Sequence, residues 1–192
     1  MSTTTTSRRG TAISVIGVLL AFSLGPPVTS GQSAITRDHQ DAALFDWALD
    51  RFERAGLELP QLEVEFHDEL EPCGGYYGSF TDRTPLHVDI CGFNGDRFLP
   101  MPKQMILHEL GHAWLFANVD DPTIDSFLSF RGLDTWNDPT VDWSKRGFEH
   151  AAEVISWALD DSERRVFTIT DSHPDVFAAA YQILTSRSAP AR

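Results

Sequence analysis

Residues 105–117 read MILHELGHAWLFA, and this stretch sets the hardest constraint on how the chain can fold. Pro102 is suited to the first turn of a helix, and the apolar pattern carries that helix to about Asn118. A helix this apolar belongs in the interior of a domain. Yet its middle holds His108, Glu109 and His112. Taking two imidazoles and a carboxylate out of water is costly unless something satisfies them. Whatever packs around this helix must therefore bring charge or hydrogen bonds to its centre.

The spacing narrows what that partner is. Residues four apart lie on one helical face, one turn above the other, so the rings of His108 and His112 can converge on one ion. Glu109 stands about 100° around the axis, beside that position rather than in it, where it can reach a water on the ion. Two zinc ligands and a general base are the mechanical content of an H-E-x-x-H pattern, so Zn2+ is the expected cofactor. Such a site takes a third protein ligand and leaves one position open. The ligand does not follow at the end of the same helix, because Leu115 and Asn118 stand where the metzincin continuation has Gly and His. Further on, residues 146–155 read RGFEHAAEVI, with Glu149 and Glu153 one turn apart. Two carboxylates on the buried side of a helix repel each other unless a cation or a proton lies between them. Glu149, Glu153 and the adjacent His150, which points about 100° away from Glu149, are the candidates for the third ligand.

Around these two segments the pattern predicts a small α+β domain. A helix over 37–55 buries Leu44, Phe45, Ala48, Leu49 and Phe52 and stops at Gly56. Residues 61–67 alternate, with Leu62, Val64 and Phe66 on one side and Glu63, Glu65 and His67 on the other, as a half-buried strand does. Residues 76–81 and 86–90 read as a hairpin turning around 82–85. A Gly/Asn/Asp loop follows at 92–96, then the apolar helix, a short helix at 122–131 and a loop at 132–143. Two further helices are expected from about Ser144 to Leu159 and over 174–186. The expected architecture is a single domain with a small, mainly antiparallel sheet packed against the apolar helix. His39, His67 and His87 are expected at the surface or as caps, and His173 at a helix boundary. The acidic loop at 134–142 lacks the glycine and spacing of an EF-hand and is expected to face water.

The first residues read as an address. A short basic start (Arg8, Arg9) precedes a charge-free apolar run of 14 residues, 11–24, and small residues around Ser30, Ser33 and Ala34 follow. This is the plan of a secretory signal peptide, residues 1–33, cleaved somewhere over 30–34. The run is shorter than the roughly 20 residues a spanning helix needs, so no membrane association is expected after cleavage. Export gives meaning to the only two cysteines, Cys73 and Cys91, which are expected to form one disulfide. The remaining chain is ordinary globular material, 42% hydrophobic, which excludes a wholly disordered protein. Its net charge of −13 argues against nucleic acid as a partner.

Together, the motif at 108–112 and the Glu-x-x-Ala-Glu stretch at 149–153 resemble those of gluzincin metallopeptidases. The chain is also similar to a group of small exported bacterial proteins of this zincin-like type. The resemblance spans roughly residues 86–159. It implies His108, His112 and Glu149 as zinc ligands, Glu109 as the base, and Glu153 as a carboxylate that hydrogen-bonds a liganding histidine. It implies a secreted zinc peptidase acting on peptides or proteins. It also implies a sheet edge beside the metal that pairs with the substrate backbone, a role that residues 86–90 suit. Trp143, Tyr76, Tyr77 and His173 are candidate donors to a developing oxyanion. The alternatives are a zinc-stabilised binding or inhibitor module without turnover, and a zinc amidase acting on cell-wall peptides.

Overall fold

The computed structural model describes residues 32–92, 101–162 and 173–190, with side chains from Asp41 onward. The expected signal segment up to residue 31, most of the loop at 92–96 and the His39 side chain lie outside the described residues. In chain order the elements are α1 (Gln32–Arg54), β1 (Leu62–His67), β2 (Gly78–Thr81), β3 (Leu86–Cys91), α2 (Pro102–Asn118), α3 (Asp121–Arg131), α4 (Gly147–Leu159) and α5 (Pro174–Thr185). This is a small α+β domain. No helix of the described residues is long and apolar enough to cross a membrane.

The sheet is mixed, and this corrects the expectation of a mainly antiparallel one. The strand order is β1-β3-β2, with β1 parallel to β3 and β2 antiparallel to it. The hairpin β2–β3 forms as expected. The first strand then joins on the far side of β3 rather than extending a meander, which places β3 in the centre. The alternation along each strand gives the sheet two unlike faces. Val88 and Ile90 are fully buried on the inner face, where β2 and β3 pack against α2. Glu63, Glu65, His67, His87 and Asp89 share the other face.

The core lies between the sheet, α2, α4 and α5. Ile106, Leu107, Leu110 and Leu115 from α2 meet Ala151, Ile155, Ala158 and Leu159 from α4, all of them nearly or fully buried. The two helices approach closely: a Cβ built on Gly111 would touch the Ala152 backbone at 3.5 Å, ordinary contact distance. Small residues therefore set the spacing, although Ala would still fit at 111. Ser156 Oγ donates to the Gln104 carbonyl at 2.9 Å, a buried bond that fixes the slide of α4 along α2. At the end of α4, Arg51 of α1 donates Nε–H to the Leu159 carbonyl at 2.7 Å, satisfying a terminal acceptor with a cation where the helix dipole favours one. On its far side α4 meets α5, with the rings of Trp157 and Phe177 5.4 Å apart.

Helix boundaries follow their caps. Asp120 accepts from the Thr123 N–H at 3.0 Å and starts α3, while Gly132 ends it with φ +65°. The start of α4 differs from the expectation at Ser144. Asp142 instead accepts from the Ser144 N–H and caps a separate 3-10 turn, Trp143–Lys145. Arg146 is then extended, so the α-helix begins at Gly147. His173 caps α5, its Nδ1 accepting from the Asp175 N–H, which agrees with its expected boundary role. In the acidic loop, Asp138 and Asp142 are occupied in capping turns at Thr140 and Ser144.

Cys73 and Cys91 form the expected disulfide. It ties the turn before β2 to the end of β3 across a sequence separation of 18. Closing a loop of that length stabilises a fold by about 3 kcal/mol in the chain-entropy account. The double variant Cys73→Ser, Cys91→Ser is therefore expected to lose about 3 kcal/mol of unfolding free energy, read from denaturant titrations of the oxidised wild type and the variant.

Candidate metal centre

The charged residues of α2 and α4 meet where the two helices pack. His108 and His112 stand one turn apart on α2, and Glu149 faces them from the first turn of α4. Glu149 Oε2 is 3.3 Å from His108 Nε2 and 3.3 Å from His112 Nε2. The three donor atoms all lie within 4.8 Å of one another. Glu153, one turn further along α4, is buried and approaches His108 from behind, with Oε2 3.8 Å from Nδ1. Of the three candidates for third ligand, Glu149 is the one that faces the two Nε2 atoms. His150 turns away: its Nε2 donates to the Ser144 carbonyl at 2.8 Å, and its Nδ1 lies 3.3 Å from Arg131.

The position of Glu149 is prepared by the loop before it. The Gly147 N–H donates to the Thr135 carbonyl at 2.9 Å, and the Phe148 N–H donates to the Trp136 carbonyl at 2.8 Å. Two orphan donors at the helix start are thereby satisfied. Gly147 allows this contact, because a Cβ there would collide with Leu128 and Trp136. His112 is held by rings. Its centroid is 4.3 Å from that of Phe148 and 6.1 Å from that of Phe80, while its Nδ1 is buried without a hydrogen-bond partner.

The spacing suits a small tetrahedral ion. Bonds of about 2.0–2.1 Å to zinc imply ligand atoms roughly 3.3–3.4 Å apart. Without an ion, the same 3.3 Å lets Glu149 accept a long hydrogen bond from His108. Two imidazole nitrogens and one carboxylate oxygen are also the donor types zinc prefers. The residues therefore fit the ion that the sequence motif implies.

Electrostatics bind the cluster together. Burial alone would push the His108 ring down, but the hydrogen bond to Glu149 and the charges of Glu109, Glu149 and Glu153 outweigh it and raise the pKa to about 9. Burial would raise Glu149, yet the bonds and charges of the two histidines hold it well below the ordinary carboxylate range. Glu109 goes the other way. Its burial raises it, the two histidines only partly oppose this, and Glu149 and Asp89 add to it.

The cleft above this group has a volume of about 1290 Å³. Strand β2 forms one wall, Trp136, Trp143 and Phe148 line another, and His108, Glu109 and His112 lie within it. Tyr76, Tyr77 and Trp143 reach the cleft, and His173 does not line it. β2 is the edge strand here. The expectation that residues 86–90 would be the edge is corrected, because β3 is paired on both sides. One contributor was missed from sequence: Gly78. A Cβ at that position would lie 2.5–2.7 Å from the Glu109 side chain, so the strand passes directly against the carboxylate. A glycine inside a predicted strand is the signal that could have pointed to it.

No known family profile, curated protein or solved structure matches this chain.

The raised pKa of His108 carries a sign that can be measured. Its value of about 9 in the metal-free protein means that the ring is protonated at pH 7, so a metal must displace that proton. Zinc affinity is expected to rise with pH up to about 9 and fall below it. Calorimetric titration at pH 7 in two buffers of different ionisation enthalpy should show a proton released on binding; buffer-independent heats would contradict this.

Proposed function

We propose that this protein is a secreted zinc-dependent peptidase. The observation that carries the reading is the convergence of His108 Nε2 and His112 Nε2 on Glu149 Oε2, each 3.3 Å from that oxygen, with Glu109 in the same cleft. His108, His112 and Glu149 would hold the ion, and Glu153 would orient His108 from its Nδ1 side. When bound, zinc lowers the pKa of water and polarises a carbonyl oxygen.

The other steps belong to the chain's own residues. Glu109 takes a proton from the attacking water and hands it to the leaving amine. Its burial, which raises its pKa, suits a group that must both accept and return a proton. The free edge of β2 lines the cleft, and its backbone N–H and C=O groups can pair with an extended peptide. Phe80 and Phe148 pack against His112 and exclude water from that side of the ring. Export is supported by the signal-like start, the disulfide, and the lack of a long apolar helix among the described residues.

Three variants test the assignment. Glu109→Gln is expected to keep its zinc and lose at least about a hundredfold in peptide hydrolysis, the lower end for a general base; normal turnover would remove Glu109 from its role. Glu149→Ala should lower the bound zinc measured by elemental analysis. Gly78→Ala should fold and bind zinc like the wild type yet cleave peptides poorly, because its new methyl group displaces the Glu109 carboxylate. Metal bound without any peptide cleavage by the wild type would favour a binding module instead.

A further inference from the structure

Two groups of side chains have no part in the steps above. The polar one, on the outer face of the sheet, is closed on itself: His67 and His87 hydrogen-bond Asp89 at 2.7 and 3.1 Å, and His87, expected at the surface, is buried. The apolar one lies open beside the metal centre. On α2 the face that carries His108 and His112 continues, at the same helical spacing, with Phe116 and Val119. That face looks into the cleft, where a merely solvated helix face would carry polar residues. Phe116 is nevertheless 52% exposed.

Rings build a recess around that phenylalanine. Phe80 of β2 lies 5.8 Å from Phe116 and 6.1 Å from Phe148, centroid to centroid. Trp136 lies 5.5 Å from Phe148, and Val119 and Ile124 line the same cleft. The far wall is held in place: Trp136 packs edge-on against the fully buried Phe127 at 6.0 Å, and its carbonyl caps α4. Phe80 and Phe148 also pack against the His112 ring. The recess therefore begins at a candidate metal ligand, and whatever fills it lies beside the bond being cut.

The edge strand shows how a substrate reaches it. The Cys91 N–H donates to the Tyr77 carbonyl at 2.9 Å, so Tyr77 and, two residues on, Ser79 turn their backbone groups towards β3. Gly78 and Phe80 then turn theirs to the free edge. Gly78 passes against Glu109, and Phe80 is a wall of the recess. On a paired, extended peptide the residue beside Phe80 stands two positions, roughly 7 Å, from the residue beside Gly78, with its side chain on the face of Phe80. We infer that the recess at the end of α2 is the specificity subsite of the proposed peptidase. It takes one large apolar side chain of a peptide, aromatic or long aliphatic, within two residues of the bond cut and on one side of it. The inference rests on the peptidase reading. A charged side chain there would give up its water to apolar rings, and Gly or Ala would leave Phe116 exposed.

The test is cleavage of a peptide set by the zinc-loaded protein, with the cut positions located by mass spectrometry. Cuts should cluster near Phe, Tyr, Trp, Leu or Met at one fixed position. Placing Ala at that position should lower kcat/KM by at least about tenfold, the lower end for a single methylene in an apolar pocket. Phe116→Ala, a change at an exposed residue, should shrink the preference for Phe over Ala, and Phe116→Lys should turn it towards Glu, a reversal that a merely structural role would not produce. Circular dichroism and bound zinc check that both variants are folded and loaded. Cleavage with no such preference overturns the subsite and leaves the peptidase standing, as does a preference that both variants keep. A zinc-loaded wild type that cleaves no peptide overturns the peptidase reading and the subsite with it.

Discussion

The structure depends on a group of charges held between two apolar helices. α2 and α4 are greasy enough to be core, yet His108, Glu109, His112, Glu149 and Glu153 sit where the two meet. None of these groups is comfortable there alone, because ions removed from water lose several kcal/mol each of solvation. Together they compensate. The carboxylates hold a proton on His108, and the histidines hold Glu149 ionised. The close approach at Gly111 and Ala152, the Ser156–Gln104 bond and the loop carbonyls that cap α4 all serve the same geometry. A shift of either helix by a fraction of a turn would separate Glu149 from the two rings.

The sheet serves this centre from the other side. Its inner face packs on α2, and its edge strand runs against the Glu109 carboxylate through a position that has no side chain. The same strand lines the cleft, so one element both confines the base and offers backbone to a bound chain. Its outer face is a separate world of imidazoles and carboxylates centred on Asp89. Asp89 nonetheless acts through the sheet, since its charge adds to the raised pKa of Glu109. The two faces are therefore electrostatically coupled, although no described side chain bridges them.

Local rules made much of the fold legible. The limits of α2 followed from Pro102 and the apolar period. The β2–β3 hairpin followed from its turn residues. The disulfide followed from there being only two cysteines in a chain with a signal-like start. The start of α4 was misread because Asp142 can cap either an α-helix or a 3-10 turn, and only the extended Arg146 decides between them. His87 was misread for a related reason. Alternation correctly placed it on the polar face, but alternation does not say whether a polar face is wet.

What the sequence determined by itself is everything that one element can enforce alone. The i, i+4 spacing stacks His108 over His112 and turns Glu109 aside in any α-helix, and strand alternation separates the two faces of the sheet. What only the tertiary structure decided is which elements face each other. It chose Glu149 over Glu153 and His150 to face the two imidazoles, made β2 rather than β3 the edge, and brought Gly78 against Glu109. The physical reason is that periodicity is a property of consecutive bonds. Distances across the core depend on how side chains fill the space between elements, and residue spacing along the chain does not encode that.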